Sequence, residues 1–324
     1  MNRRQLAQAA CAALTLGLAG PALADAAYPS KPVRIIVGYS AGGPTDAVAR
    51  MVAAHMQTKL GQPFVVDNRA GAGSNIASEA VAAAAPDGYT LLVAAAPLTM
   101  NSHVYKNLKF DAAKSFEPIS KLSSAPGVLG VRPDWGVGSV KELVAAAKKE
   151  PGKFTYGTTG LGGSQHMATE LFQKLAGVKL THIPYKGASN VMTDLIAGHV
   201  DMAFMTATGA MPHLQAGKVK PLAVAGPQRL SGLPDVPTFA EAGYPAMISD
   251  SWNGLLAPAG TPAAIVQKLH AAAVEALQVP EIRSKLESQG AIVIGSSPAE
   301  FRADIQREVA HWAEQFKAIK IEMQ

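Results

Sequence analysis

Short runs of β-branched and aliphatic residues alternate along this chain with stretches whose apolar residues recur every three or four positions. That alternation leaves few folds open. Val33 to Gly38 reads as a buried strand, and Thr45 to Leu60 as a helix with Val48, Met51, Val52, Met56 and Leu60 on one face. Phe64 to Asp67 and Thr90 to Ala94 read as further strands, with a helix from Asn75 to Ala84 between them. A helical crossover returns the chain to the end where it started, so strands joined this way lie parallel. The expectation is an α/β protein built on parallel βαβ units.

The second half follows the same rule. Ser139 and Glu142 make a capping box ahead of a helix carrying Leu143, Val144 and Ala147. Phe154 to Gly157 reads as a strand, and Met167, Leu171 and Leu175 mark a helix that stops at Gly177. Leu180 to Ile183, Asp201 to Met205, Leu222 to Ala225 and Trp252 to Ala257 read as strands. The C-terminal third is helical. Thr261-Pro262 is read as an N-cap followed by proline, and Ser297-Pro298-Ala299-Glu300 as a capping box with the same proline. Phe301, Ile305, Val309, Trp312, Phe316 and Ile319 form a core stripe on the last helix.

Ile119 to Arg132 is apolar and small, broken by Ser123, Ser124 and Pro126, and stands where one β/α set gives way to the next. It reads as a chain crossing between two lobes, with Trp252 to Ala257 the return crossing. The expected division is 1–24 a signal peptide, 25–125 plus 250–324 a discontinuous first lobe, and 126–249 a second lobe. A ligand would sit between the lobes at the carboxyl ends of the strands.

The N-terminus bears on the compartment. Arg3 and Arg4 precede an uncharged, mostly apolar run from Leu6 to Ala19, and Ala22-Leu23-Ala24 offers small residues for cleavage before Asp25. This is the pattern of a secretory signal, so a periplasmic protein is expected. Cys11, the single cysteine, leaves with that segment, which excludes disulfides and thiolate chemistry from the mature chain. The same cleavage removes two of 29 basic residues and none of 24 acidic ones, leaving 27 against 24. A surplus of three, dispersed, excludes a nucleic-acid partner. A monomer is expected.

Two glycine-rich loops carry the candidate site. The first runs from Gly38 to Asp46, between a strand and a helix, and its candidates are Tyr39, Ala41, Gly42, Gly43, Thr45 and Asp46. Glycines let backbone N–H groups approach a ligand, and a helix N-terminus favours an anion. The same residues also fit an ordinary turn in which Asp46 caps the helix and pairs with Arg50. The second loop runs from Gly157 to His166, with candidates Thr158, Gly160, Gly162, Gly163, Ser164 and His166. Facing each other across a cleft, the two loops suit a carboxylate held by amides and hydroxyls. Tyr185 and Lys186, after a second-lobe strand, could cover the ligand and meet its charge, and Phe204 could floor the pocket. Lys186 as a solvated surface charge and Phe204 as core fit the sequence as well.

Nucleotide and catalytic signatures are missing. Neither loop completes G-x-x-x-x-G-K-[ST] or G-x-G-x-x-G. Ser164 lacks a G-x-S-x-G elbow, and the eight histidines form no H-x-x-x-H pair. No catalytic residue, metal or cofactor is expected. A hydrolase using Ser164 and His166, and an interaction protein without a ligand, are the competing readings.

The same segments resemble the substrate-binding receptors of tripartite tricarboxylate transporters, the Bug receptors. The likeness runs through Val33 to Val37, Gly42 to Asp46, Asp67 to Gly73 and Pro86 to Leu92. It continues through Gly160 to His166, Pro184 to Gly187, Pro234 to Thr238, Trp252 to Gly254 and Ala257 to Pro262. The resemblance implies a type II periplasmic binding fold whose two α/β lobes close on a small organic acid or related amide. Membrane subunits of a transporter, or a sensor, are the implied partners. It also implies that both glycine-rich loops hold the carboxylate through backbone groups and water. Ala70 replaces a usual proline, Ser74 a frequent glycine, and Tyr39-Ser40 a common Pro-x or Phe-x pair.

Overall fold

The computed structural model describes residues 28–160, 163–185 and 187–319. The expected signal segment 1–24, Gly162, Lys186 and the side chain of Ile319 lie outside the described residues.

The chain runs β1 (Val33–Val37), α1 (Pro44–Leu60), β2 (Phe64–Asn68), α2 (Asn75–Ala82), β3 (Thr90–Ala95) and α3 (Pro97–Met100). The long strand β4 (Phe116–Val131) follows, then α4 (Val140–Lys149), β5 (Thr155–Thr158), α5 (Ser164–Ala176), β6 (Thr181–Pro184) and α6 (Ala188–Ala197). Next come β7 (Met202–Thr206), α7 (Ala207–Gln215), β8 (Lys220–Ala225), β9 (Asp250–Pro258), α8 (Ala263–Gln278), α9 (Pro280–Ser288), β10 (Ile292–Val293) and α10 (Pro298–Ile319).

The expected parallel units are present. β1 pairs parallel with β2 and β3, and β5 with β6 and β7. Antiparallel strands join the two sets, in the order β2-β1-β3-β9-β4-β7-β5-β6. β4 pairs with β9 from Phe116 to Pro126, then with β7 and β8 from Gly127 to Val131. The segment expected as a crossing is therefore one strand shared by two sheets. The chain returns where Ser249 N–H donates to Ala225 and Ser249 O accepts from Gly127, just before β9.

Each β/α set has its own core. Val33, Ile35, Val37, Val48, Val52 and Met56 pack with Leu269 and Leu277 of α8. Ile36, Leu92, Trp252, Leu256, Phe301 and Ile305 fill the other face of that sheet. Leu129, Tyr156, Phe172, Phe204 and Phe239 centre the second lobe. The α10 stripe is buried at Phe301, Ile305 and Phe316, with Val309 and Trp312 packed against the same core. On α5, Met167 and Leu171 face inward, whereas Leu175 is exposed.

The capping boxes form in part. Ser297 and Glu300 exchange hydrogen bonds reciprocally (2.8 and 3.3 Å). Ser139 accepts from Glu142 N–H at 3.2 Å, but the Glu142 carboxylate reaches Gly138 N–H instead of Ser139. Thr261 is not an N-cap. Helix α8 starts at Ala263 with Pro262 before it, and Thr261 Oγ1 donates to the Pro258 carbonyl at 2.8 Å. Its hydroxyl bonds backward, within the turn that leaves β9.

Candidate ligand site

The cleft lies where strands of both lobes end and helices begin. A cavity of about 550 Å³ is lined by Tyr39, Asn101, Tyr105, Ser164, Thr206 and Asn253, among others. A second, of about 390 Å³, continues toward Met192, Phe204, His213 and Gln289. They share Gly43, Pro44, Thr159, Gln165, Thr206 and Thr208, so the two form one space.

Four helices start at this space. The N-caps of α1, α5, α6 and α7 are Gly43, Gly163, Gly187 and Thr206, and all four line the cleft. Each N-cap is extended and none carries a side-chain capping bond. The first N–H groups of a helix have no intrahelical acceptor and sit at the positive end of its dipole. Glycine at three of the four positions keeps a Cβ away from them. Among the described residues, no Lys, Arg, Asp or Glu lines any of the cavities.

The expected residues divide. Tyr39, Gly42, Gly43, Thr45, Thr158, Gly163, Ser164 and Phe204 line the cleft. Ala41 and Gly160 sit in the loops without lining it; Gly160 supplies a left-handed turn at φ 123°. Asp46 is turned away. Its carboxylate accepts from Gly42 N–H (2.8 Å), Arg50 Nε (2.9 Å) and Asn68 Nδ2 (2.9 Å). Burial pushes that carboxyl up, but the bonds from Arg50, Gly42 and Asn68 outweigh it, and its pKa lies below the ordinary value. Of the reading in which Asp46 caps the helix and pairs with Arg50, the structure has the pairing but not the cap: the N-cap is Gly43, and Asp46 lies inside the first turn, where it accepts from Gly42 N–H.

His166 is also turned away from the cleft. It is buried, stacked on His182 with ring centres 4.4 Å apart, and His182 stacks on Tyr156 at 4.8 Å. Tyr156 in turn donates to Glu170 at 2.6 Å. Burial, and then His166, lower the His182 pKa to about 4. Thr158 Oγ1 lies 2.6 Å from His182 Nε2, so the stack props the start of the second loop. Tyr185 donates to Asp194 at 2.6 Å, and its hydroxyl is pushed up to about 12, first by burial and then by that bond. It supports α6 and does not line the cleft.

Sequence reasoning missed Asn101, Tyr105, Gln165, Thr206, Thr208 and Asn253 as lining residues. Gln165 was within reach, since it belongs to the second loop. Thr206 and Thr208 stand at the end of β7 and the start of α7, Asn101 and Tyr105 follow α3, and Asn253 lies within β9, none of them in a glycine-rich loop.

The family model described as tripartite tricarboxylate transporter family receptor matches residues 48–321. The chain belongs to this family. BugT of Bordetella pertussis is 36% identical over 301 residues, covering 92% of each chain. The solved periplasmic binding protein BugD is 36% identical with a TM-score of 0.81, covering 92% of this chain and 100% of that one. The R. palustris protein Rpa4515, solved with adipate, is 34% identical with a TM-score of 0.84 and the same coverage. This receptor thus has the two-lobed α/β fold of periplasmic solute-binding proteins, in which the cleft is the place for a solute.

Proposed function

We propose that this receptor captures a small organic carboxylate between its lobes, for delivery to a membrane transporter or for sensing. The observation that carries the reading is the convergence on one cleft of four helix N-termini that no side chain caps, with no Lys or Arg among the described residues that line it. Such a site holds an anion by amide and hydroxyl donors with helix dipoles behind them. The relative solved with adipate supports the ligand class. Gly162 and Lys186 belong to the proposed site by their positions, in the second loop and ahead of α6.

The receptor is not an enzyme in this reading. Ser164 lines the cleft, while His166 is stacked on His182 outside the cleft lining. Mass spectrometry of co-purified small molecules, followed by calorimetry, tests the assignment. A carboxylate recovered unchanged and bound in a one-to-one complex supports it, whereas turnover of ester or amide substrates refutes it.

The lobes proposed are 25–125 with 250–324, and 126–249, the change falling where β4 exchanges β9 for β7 and β8. Ligand contacts on both lobes favour a closed state. Small-angle scattering should record a smaller radius of gyration at saturating ligand, on a monomeric protein. Export is proposed with cleavage between Ala24 and Asp25, and N-terminal sequencing of protein from the native host should begin at Asp25.

A further inference from the structure

The floor of the larger cavity is a patch of sheet. Ser251 and Asn253 of β9 line it, together with Ala95 of β3 and Ala125 of β4. The register sets Ala125 opposite Ser251, Ser123 opposite Asn253, and Ala95 opposite Asn253 on the other side. Opposed residues share a sheet face, so Ala95, Ala125, Ser251 and Asn253 form one floor, with Ser123 beside Asn253 on that face but buried behind the cavity lining. The others are alanine or serine, and Asn253 is the largest polar group among them.

Asn253 is 6% exposed and Ser123 is 1% exposed. Neither Asn253 Oδ1 nor Ser123 Oγ has a hydrogen-bond partner among the described residues. Buried polar atoms without partners are destabilising, and an exception in a cleft points to a ligand group or water that completes them. Turning the carboxamide over exchanges an acceptor for a donor and leaves one end still unmatched. A hydroxyl, both donor and acceptor, satisfies either orientation. An ammonium does not belong here: no acidic side chain among the described residues lines the cleft, and four helix N-termini oppose a cation. β9 is hydrogen-bonded on both sides, which holds Asn253 in a fixed place just past the return crossing.

We propose that Asn253 is a specificity-determining residue that reads a neutral hydroxyl on the carboxylate ligand, with Ser123, opposite it in the strand register, as its positioning partner. This deepens the carboxylate-receptor reading and rests on it.

Calorimetry on the exported receptor with matched pairs tests it: succinate and malate, glutarate and 2-hydroxyglutarate, benzoate and 4-hydroxybenzoate, with aspartate and glutamate as amino counterparts. Wild type should favour the hydroxylated member of a binding pair by about tenfold or more, the scale of one neutral hydrogen bond. Asn253→Ala should cut that advantage to under about threefold while leaving the unsubstituted acid within about threefold of wild type. Ser123→Ala should erode it partly, with Tm unchanged or higher. Asn253→Ser, which keeps a small polar group, provides the same comparison if the alanine variant fails to fold. An undiminished hydroxyl advantage in the Asn253 variants overturns the proposal. So does a Tm loss in both variants with the binding ratio unmoved, the mark of a purely structural pair, and so does a preference for the amino acids. Equal binding of both members by wild type sinks this inference and leaves the carboxylate reading standing. Binding of no member of any pair defeats both.

Discussion

The Trp252 indole N–H donates to Glu308 Oε2 over 2.8 Å, and Thr99 Oγ1 donates to the same oxygen over 2.9 Å. One carboxylate on α10 thereby ties down the return strand β9 and the short helix α3, both of which border the cleft. Trp252 also meets Phe301 edge-on, with ring centres 5.2 Å apart. The lining residues Ser251 and Asn253, on either side of Trp252, are held by this anchorage on the opposite face of the sheet.

Glu308 should give stability a pH dependence opposite to that of an ordinary paired carboxylate. Burial raises its pKa above the ordinary 4.5, opposed by the Trp252 bond, Lys121 and the Thr99 bond. The folded state then binds the proton more tightly than the unfolded chain. The group's contribution is largest below pH 4.5 and is lost as pH rises through the raised value. Glu308→Gln keeps an acceptor for Trp252 without the buried charge. Its urea midpoint should exceed that of wild type at pH 7 and converge with it near pH 4.

His182 should act in the reverse sense. Its pKa falls from 6.5 to about 4, through burial and then the neighbouring His166. The neutral ring is favoured in the fold, so its contribution is complete above pH 6.5 and is lost as pH falls toward 4. An NMR titration should place the His182 midpoint near 4. His182→Gln should flatten the stability profile between those limits.

Gly43 and Gly163 should separate binding from folding. A Cβ at Gly43 meets only the Ser40 carbonyl oxygen at 3.4 Å, and at Gly163 nothing nearer than 3.8 Å. Both have extended backbone that any residue adopts. Valine at either position should leave Tm within a few degrees, since an N-cap change from glycine costs about 1 kcal/mol or less. Methyls beside the helix-start N–H groups should weaken ligand binding by roughly 100-fold, the loss of about two charge-assisted hydrogen bonds. Gly42→Ala is the control: its φ of 81° makes the strain conformational, and the loss should appear in Tm.

Gly254 should be intolerant for a packing reason. A Cβ there would overlap the Phe301 ring, which is fully buried and has nowhere to move. Gly254→Ala should destabilise by about 1–3 kcal/mol in urea melts. Combining it with Phe301→Leu should lose less than the sum of the two single changes, because the smaller side chain removes the clash.

Much of the fold was legible because α1 and α10 repeat their apolar residues with the helical period, and β1 and β3 are short apolar runs of strand length between turn residues. Phe301, Ile305 and Phe316 are buried as that spacing requires. The β4 segment was legible as a crossing but not as a strand. Pro118, Pro126, Gly127 and Gly130 interrupt it, and burial on both faces removes the alternation that marks a strand. In the site, Gly42, Gly43, Gly163 and Ser164 were legible from the loops. Asp46, His166 and Tyr185 have the right chemistry for a ligand, but each is drawn to a neighbour on the same lobe: Arg50, His182 and Asp194.

The sequence by itself determined the alternation of elements, the two glycine-rich loops and the family pattern, because each is written in residues near one another along the chain. Only the tertiary structure decided which side chains face the cleft. Asn253 meets Ala95 and Ser123 through strand pairing across long stretches of chain. Four helices point their N-termini at one space because their parent strands are ordered in two sheets joined by β4. Hydrogen-bond register and helix direction are set by contacts between distant segments, and no local spacing encodes them.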